Sequence, residues 1–168
     1  MRNKRTIFHT TVGLLLIVVS LLFTSCYQDT LYYRYHKLPG KGWYTHDTLN
    51  YQLDTPLSAG NYTIEFGIRH STQYSYCDLW LGMRSKRTDS LSTIISDTDT
   101  LHINLVSEQG HWKGNSSGGL FQYTHPALYK LTVTEGDSLR SIQLFHIMKD
   151  APLKGLTDVG IRIFQDED

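Results

Sequence analysis

Cysteine is nearly absent: the 168 residues hold two, Cys26 and Cys77. That excludes a scaffold stapled by several disulfides and a zinc site built on cysteine clusters. Proline is scarce at four residues, so this is not a polyproline-type chain. Neither sign of charge dominates, because sixteen Lys and Arg balance sixteen Asp and Glu. Nucleic-acid binding, which needs a basic patch, gains no support from that balance. No apolar run reaches the roughly twenty residues a membrane-spanning helix needs. Also missing are the phosphate-binding Gly-rich loop, the Gly-x-Ser-x-Gly elbow, the His-Glu-x-x-His helix and the dinucleotide fingerprint. There is no internal repeat and no heptad. The expectation is a chain without catalytic, cofactor or metal residues.

What is present begins at the N-terminus. Arg2, Lys4 and Arg5 precede the apolar stretch Val12–Phe23, which is interrupted only by Gly13 and Ser20. Small Thr24 and Ser25 follow, then Cys26. Positive, apolar, small is the order of a secretory signal. Phe23-Thr24-Ser25-Cys26 resembles a bacterial lipobox, whose cysteine receives the lipid, though Phe stands where Leu is common. The expectation is a signal peptide over residues 1–25 and fatty acyl chains, palmitate among them, on Cys26. An ordinary cleavage site and a retained signal anchor are the alternatives. Several acyl chains hold a protein on a bilayer where one barely does, at about 0.8 kcal/mol per buried methylene.

Removing residues 1–25 takes three basic side chains and no acidic one, leaving a net charge of −3 over 143 residues. That length suits one domain with a core of its own. Cys77 is then the one thiol left, and a small buried hydrophobe is the expected role, a reactive thiol the alternative. Residues 26–42 read as a lipidated tether that docks on the domain, with Tyr32, Tyr33 and Tyr35 ahead of Pro39, Gly40 and Gly42. Residues 43–168 read as the folded domain.

In that domain the hydrophobic period is two, the spacing at which a strand buries one face and wets the other. Tyr62, Ile64, Phe66 and Ile68 alternate with polar residues or glycine. So do Leu101, Ile103 and Leu105, then Tyr129, Leu131 and Val133, then Val159, Ile161 and Ile163. Leu79, Leu81 and Met83 alternate with Asp78, Trp80 and Gly82. Ser58–Asn61 and Glu135–Asp137 carry turn chemistry, and residues 114–119 read as a flexible Gly-rich loop. Ile142, Leu144 and Phe145 fit a strand, with a helical turn as the alternative. Short strands separated by turns predict an all-β, antiparallel β-sandwich of jelly-roll type.

Binding chemistry is sparser. Seven histidines follow the signal, none at zinc-site spacing, and surface or hydrogen-bonded roles are expected. Asp97 and Asp99 read as a solvated strand end, since no calcium loop surrounds them. Tyr74, Tyr76, Trp80 and Trp112 lie near polar turns or on a polar strand face. Exposed rings there would suit a sugar or protein partner; otherwise they cover the core. Five Asp-Ser/Thr-Leu triplets, beginning at Asp29, Asp47, Asp89, Asp99 and Asp137, resemble an O-glycosylation motif of exported bacterial proteins. Polar strand entry is the plainer reading.

Blocks of sequence then carry a wider likeness. They are Trp43, Ile68-Arg69, Tyr74-Ser75-Tyr76-Cys77-Asp78-Leu79-Trp80-Leu81, Gly110-His111-Trp112-Lys113-Gly114, Ile147-Met148, Leu153-Lys154-Gly155-Leu156 and Asp158-Val159-Gly160-Ile161. In this order and spacing the chain resembles the gliding motility lipoprotein GldH family from Cys26 to nearly the end. Cys77-Asp78 and Lys149 depart from the family's pattern. The resemblance implies a non-enzymatic cell-envelope lipoprotein, held by lipid at Cys26, facing the periplasm from the outer membrane. It also implies protein partners in the gliding and secretion machinery. A carbohydrate-binding or glycan-handling envelope lipoprotein is the alternative.

Overall fold

The computed structural model describes residues 30–166, the side chains of residues 126–128 excepted. The signal segment and Cys26 lie outside that range. Nine strands follow one another: β1 Thr30–Lys37, β2 Leu49–Leu57, β3 Gly60–Ser71, β4 Asp78–Thr88, β5 Ile94–Asn104, β6 Asn115–Ser117, β7 Leu120–Val133, β8 Ser138–His146 and β9 Leu156–Gln165. No helix occurs among the described residues.

The strands form two antiparallel sheets in the orders β1-β9-β3-β7-β6 and β2-β8-β4-β5. Leaving aside the three-residue β6, this alternation of early and late strands is the jelly roll that the period-two pattern predicts. Each sheet turns its alternate residues inward. Ile64, Phe66, Ile68, Ile161 and Ile163 from one sheet face Tyr51, Leu79, Leu81, Ile142 and Leu144 from the other, all buried. Residues 138–146 are a strand and not a helical turn, for Leu139, Ile142 and Leu144 pack inward between β2 and β4.

Three expectations need correction. The segment read as a tether is structural from Thr30 on: β1 pairs with β9 from Thr30↔Phe164 to Lys37↔Asp158. Tyr32 and Leu38 are buried, and Trp43 is fully so. The sandwich thus begins at Thr30 and not at residue 43, because β9 needs a second neighbour to satisfy its backbone groups. Residues 114–119 are a hairpin, with Asn115–Ser117 paired to Leu120–Gln122. Cys77 is exposed and not buried, since it lies in the turn before β4 where no second layer covers it.

The two ends of the sandwich differ. At one end, β1 begins and β9 finishes, and short turns join β2 to β3, β4 to β5 and β7 to β8. The other end carries longer connections, residues 38–48, 72–77, 105–114 and 147–155. These are tied together: Trp43 and Leu153 exchange backbone hydrogen bonds of 2.9 and 2.7 Å.

Candidate functional site

The loop-rich end, farthest from the start of β1, gathers residues remote in sequence. Trp43 is buried there, its Nε1 donating to the Asp47 carbonyl at 2.6 Å. The His146 ring meets the Trp43 carbonyl through Nε2 at 2.9 Å. Beside them His70 stacks on Phe121 at 5.1 Å and contacts Trp112 at 4.5 Å. Burial in this aromatic setting pushes the imidazoles of His70 and His146 below the ordinary histidine value, because a charged ring would lose its water.

The four aromatic candidates do not share one surface. Tyr74 is buried: its hydroxyl donates to the Asp78 carbonyl at 2.7 Å and its ring packs near His70 and Trp112. It therefore cannot touch a partner directly. Trp112 is half-buried in the same cluster, against Phe121 and the core. Trp80 is exposed on the outer face of β4, stacked on His102 at 4.1 Å. Asp78 Oδ2 holds that pair, accepting from Trp80 Nε1 at 3.0 Å and lying 2.9 Å from His102 Nε2. Tyr76 borders a cavity. This cleft, of about 510 Å³, is lined by Gln73, Ser75, Tyr76, Asp150, Pro152 and Lys154.

A second cavity went unread in the sequence. It is a groove of about 510 Å³ on the outer face of the five-stranded sheet, lined by Thr30, Tyr33, Tyr35, Glu65, Thr124 and Arg162 among others. Its origin is a pair of glycines. Gly67 and Gly160 are register partners on adjacent strands, and Tyr35 pairs with Gly160. With no side chains beneath it, the Tyr35 ring lies flat on the sheet. A Cβ at Gly160 would sit 2.6 Å from Tyr35 Cγ. Arg69 covers the ring at 4.2 Å. Burial, with a contribution from Tyr33, pushes the Tyr35 hydroxyl up to about 12, so it stays protonated. Tyr33 stands 60% exposed beside it, edge-on at 5.7 Å. Arg162 ties the end of the groove, donating from Nε to Thr30 at 2.8 Å and lying 3.4 Å from Glu65. The signal for this groove was the two glycines at outward positions of β3 and β9, legible only once those strands are known to be neighbours.

Among the described residues no group of His, Cys, Asp or Glu is arranged to hold a metal ion. No helix of the described residues is long and apolar enough to cross a membrane.

The family model for the GldH lipoprotein matches residues 30–163, from the first residue of β1 to two residues short of the end of β9. The chain belongs to the GldH lipoprotein family. It is therefore a member of a family of envelope lipoproteins. Among curated proteins nothing matches. Several solved structures show distant likenesses. A fructofuranosidase from Schwanniomyces occidentalis in complex with fructosylnystose gives a TM-score of 0.43 at 11% identity, over 84% of this chain and 35% of that one. Eiger TNF from S. frugiperda gives 0.27 at 12% identity, over 83% of this chain and 96% of that one. Dimeric latent PorU from Porphyromonas gingivalis gives 0.27 at 11% identity, over 84% of this chain and 14% of that one. The chain spans about a third of the length of the fructofuranosidase chain. At these scores the likenesses carry no argument about what the GldH-family chain does.

Proposed function

We propose that this chain is a non-enzymatic component of the envelope machinery for gliding and the secretion associated with it. It is anchored by lipid on Cys26 to the outer membrane, facing the periplasm, and its loop-rich end receives a protein partner. The observation that carries this reading is a convergence. The family blocks around Trp43, Tyr74–Trp80, Trp112 and Leu153–Gly155 are far apart in sequence yet meet at that one end. Trp43 bridges Leu153, a Cβ at Gly155 would collide with the Tyr74 backbone, and Trp112 packs near Tyr74 at 6.5 Å. Buried rings there hold the loops in one shape, and the Tyr76–Lys154 cleft is the part left open. A loop fixed by a scaffold is where binding residues concentrate, and anchoring raises the effective concentration of membrane-bound partners.

The test is a photo-crosslinker placed at Tyr76 or Lys154 in the native, membrane-anchored protein, with crosslinked species identified by mass spectrometry. Other gliding or secretion envelope proteins are expected from these positions and not from Thr98 on the edge strand. Crosslinks to no protein from either position would defeat the reading.

The sheet-face groove favours a second function, binding of a glycan. Its tyrosine hydroxyls, Glu65 and Arg162 offer donors and acceptors beside flat rings, the combination a sugar needs. Saturable binding on a glycan array, lost with Tyr33→Ala, would establish it; absence of binding to any glycan would dismiss it.

A further inference from the structure

The β4–β5 hairpin carries the most exposed apolar side chains of the described residues, Leu91 at 84% and Ile94 at 73% exposed. Its turn, residues 89–93, is held in one shape. Asp89 Oδ1 accepts from the backbone amides of Leu91 at 2.9 Å and Thr93 at 2.7 Å. The Asp89 amide donates to the Thr93 carbonyl, and the Ser92 amide to the Asp89 carbonyl, both at 3.0 Å. Ser92 sits at φ 63°, a left-handed position that a non-glycine residue occupies only when its surroundings demand it. An ordered turn that presents two bare aliphatic side chains needs a cover.

The topology says where this tip is. Thr88 pairs with Ser138 at the end of the ladder, so the turn reaches past the start of β8. Ser90 lies against the β7–β8 turn, 3.8 Å from where a Cβ on Gly136 would be. That turn follows Val133, which pairs with Gly60, and Tyr62 pairs with Gln165 at the end where Thr30 meets Phe164. Tip and chain entry are therefore at the same end. Only residues 27–29 separate Cys26 from Thr30, a reach of at most about 14 Å for an extended chain. A lipid on Cys26 thus confines this end to the bilayer surface. The tip stands on the opposite flank of the end from β1, roughly 15 Å across by strand and sheet spacings.

We infer that Leu91 and Ile94 enter the lipid surface as a second point of attachment, which holds the sandwich upright on its anchor. β3 is twelve residues long, about 36 Å at the rise of a strand. The loop-rich end is then presented that far from the membrane, towards its partner. The inference rests on lipidation of Cys26.

The experiment uses the full lipidated chain in vesicles of phosphatidylethanolamine and phosphatidylglycerol. An environment-sensitive fluorophore is attached at Leu91→Cys in a Cys77→Ser background, and at Thr45→Cys on the loop-rich end as the control. Flotation of the protein with the vesicles reports the anchor. A blue shift at position 91, quenched by spin-labelled lipid and absent at position 45, is expected. Flotation with a water-like emission at 91 overturns the tip contact and leaves the anchor standing. Emission that is water-like on vesicles but shielded in whole envelopes assigns the tip to a protein and equally overturns it. Failure to float removes the anchor, and the contact falls with it.

Discussion

Gly160→Ala puts the account of the groove to a quantitative test. In an ordinary strand this change stabilises, because Ala loses less backbone freedom than Gly on folding, by about 0.5–1 kcal/mol. Here the added methyl would lie 2.6 Å from Cγ and 2.7 Å from both Cδ atoms of Tyr35. Those atoms are the near side of the ring and cannot yield by a small rotation of a flexible tip. The ring must lift from the sheet, giving up its seat under Arg69. Overpacking of this kind costs about 1–3 kcal/mol. For a domain of this size that lowers the midpoint by about 4 °C per kcal/mol. Urea and thermal unfolding of the soluble domain would be measured for Gly160→Ala, Tyr35→Ala and the double variant. In the Tyr35→Ala background the methyl meets nothing, and Gly160→Ala is expected to be neutral or stabilising. The cycle should show a coupling of about 2 kcal/mol. Gly67→Ala meets the hydroxyl and, at 2.5 Å, Cζ of the same ring, and should cost at least as much. If Gly160→Ala stabilises in both backgrounds, Tyr35 does not lie on the glycine floor and the groove has another shape.

Trp112→Ala is expected to destabilise by about 2–3 kcal/mol, since it opens a hole between His70, Tyr74 and Phe121; a variant with unchanged unfolding midpoint would return Trp112 to the surface. His70 and His146 are held neutral by burial, so their folded values lie below the ordinary value near 6.5. The unfolded chain therefore takes up protons first, and stability, fully present above about pH 6.5, falls as pH drops from there towards the depressed folded values. Flat stability across that window would refute the burial of both rings. Of the glycosylation triplets, Thr48 and Thr100 are exposed, Ser138 is half-buried and Thr30 is engaged by Arg162. Any O-glycan is expected on Thr48 or Thr100, with Ser90 bare beside the tip. The intact mass of the native protein, with peptide mapping, decides this, and a mass equal to the bare lipoprotein would end the glycosylation idea.

Legibility differed from strand to strand for physical reasons. β3, β4, β7 and β9 alternate cleanly because one face is core and the other is water. β1 escaped because its sequence TLYYRYHK puts large side chains on both faces. Tyr32 goes to the core, while Tyr35 lies on the glycine floor outside and Tyr33 stands exposed beside it. β2 escaped because Pro56 and several polar residues interrupt its pattern, with only Tyr51 and Leu53 buried. β6 escaped because three exposed residues flanked by glycines have no pattern to read. Among the candidate contacts, Tyr74 looked like Tyr76 in sequence. One ring turned inwards to a carbonyl and the other outwards to a cleft, a choice made by the packing of the loop and not by residue type.

By itself the sequence determined the fold class. Alternation of apolar and polar residues commits most of these segments to strands, since no other backbone buries every second side chain. A basic, apolar, small order ahead of Cys26 reads as an export signal and points to lipid. Which strands become neighbours was decided only by tertiary structure, because pairing joins residues as distant as Thr30 and Phe164. Everything that makes a surface followed from that pairing. Gly67 and Gly160 make a groove because β3 and β9 are adjacent. Trp43, Trp112 and Leu153 share an end because the jelly roll brings their loops together. Leu91 and Ile94 lie at the end where Thr30 enters because the β4–β5 ladder runs to that end of the sandwich. Each of these depends on distance in space, and a linear pattern fixes only distance along the chain.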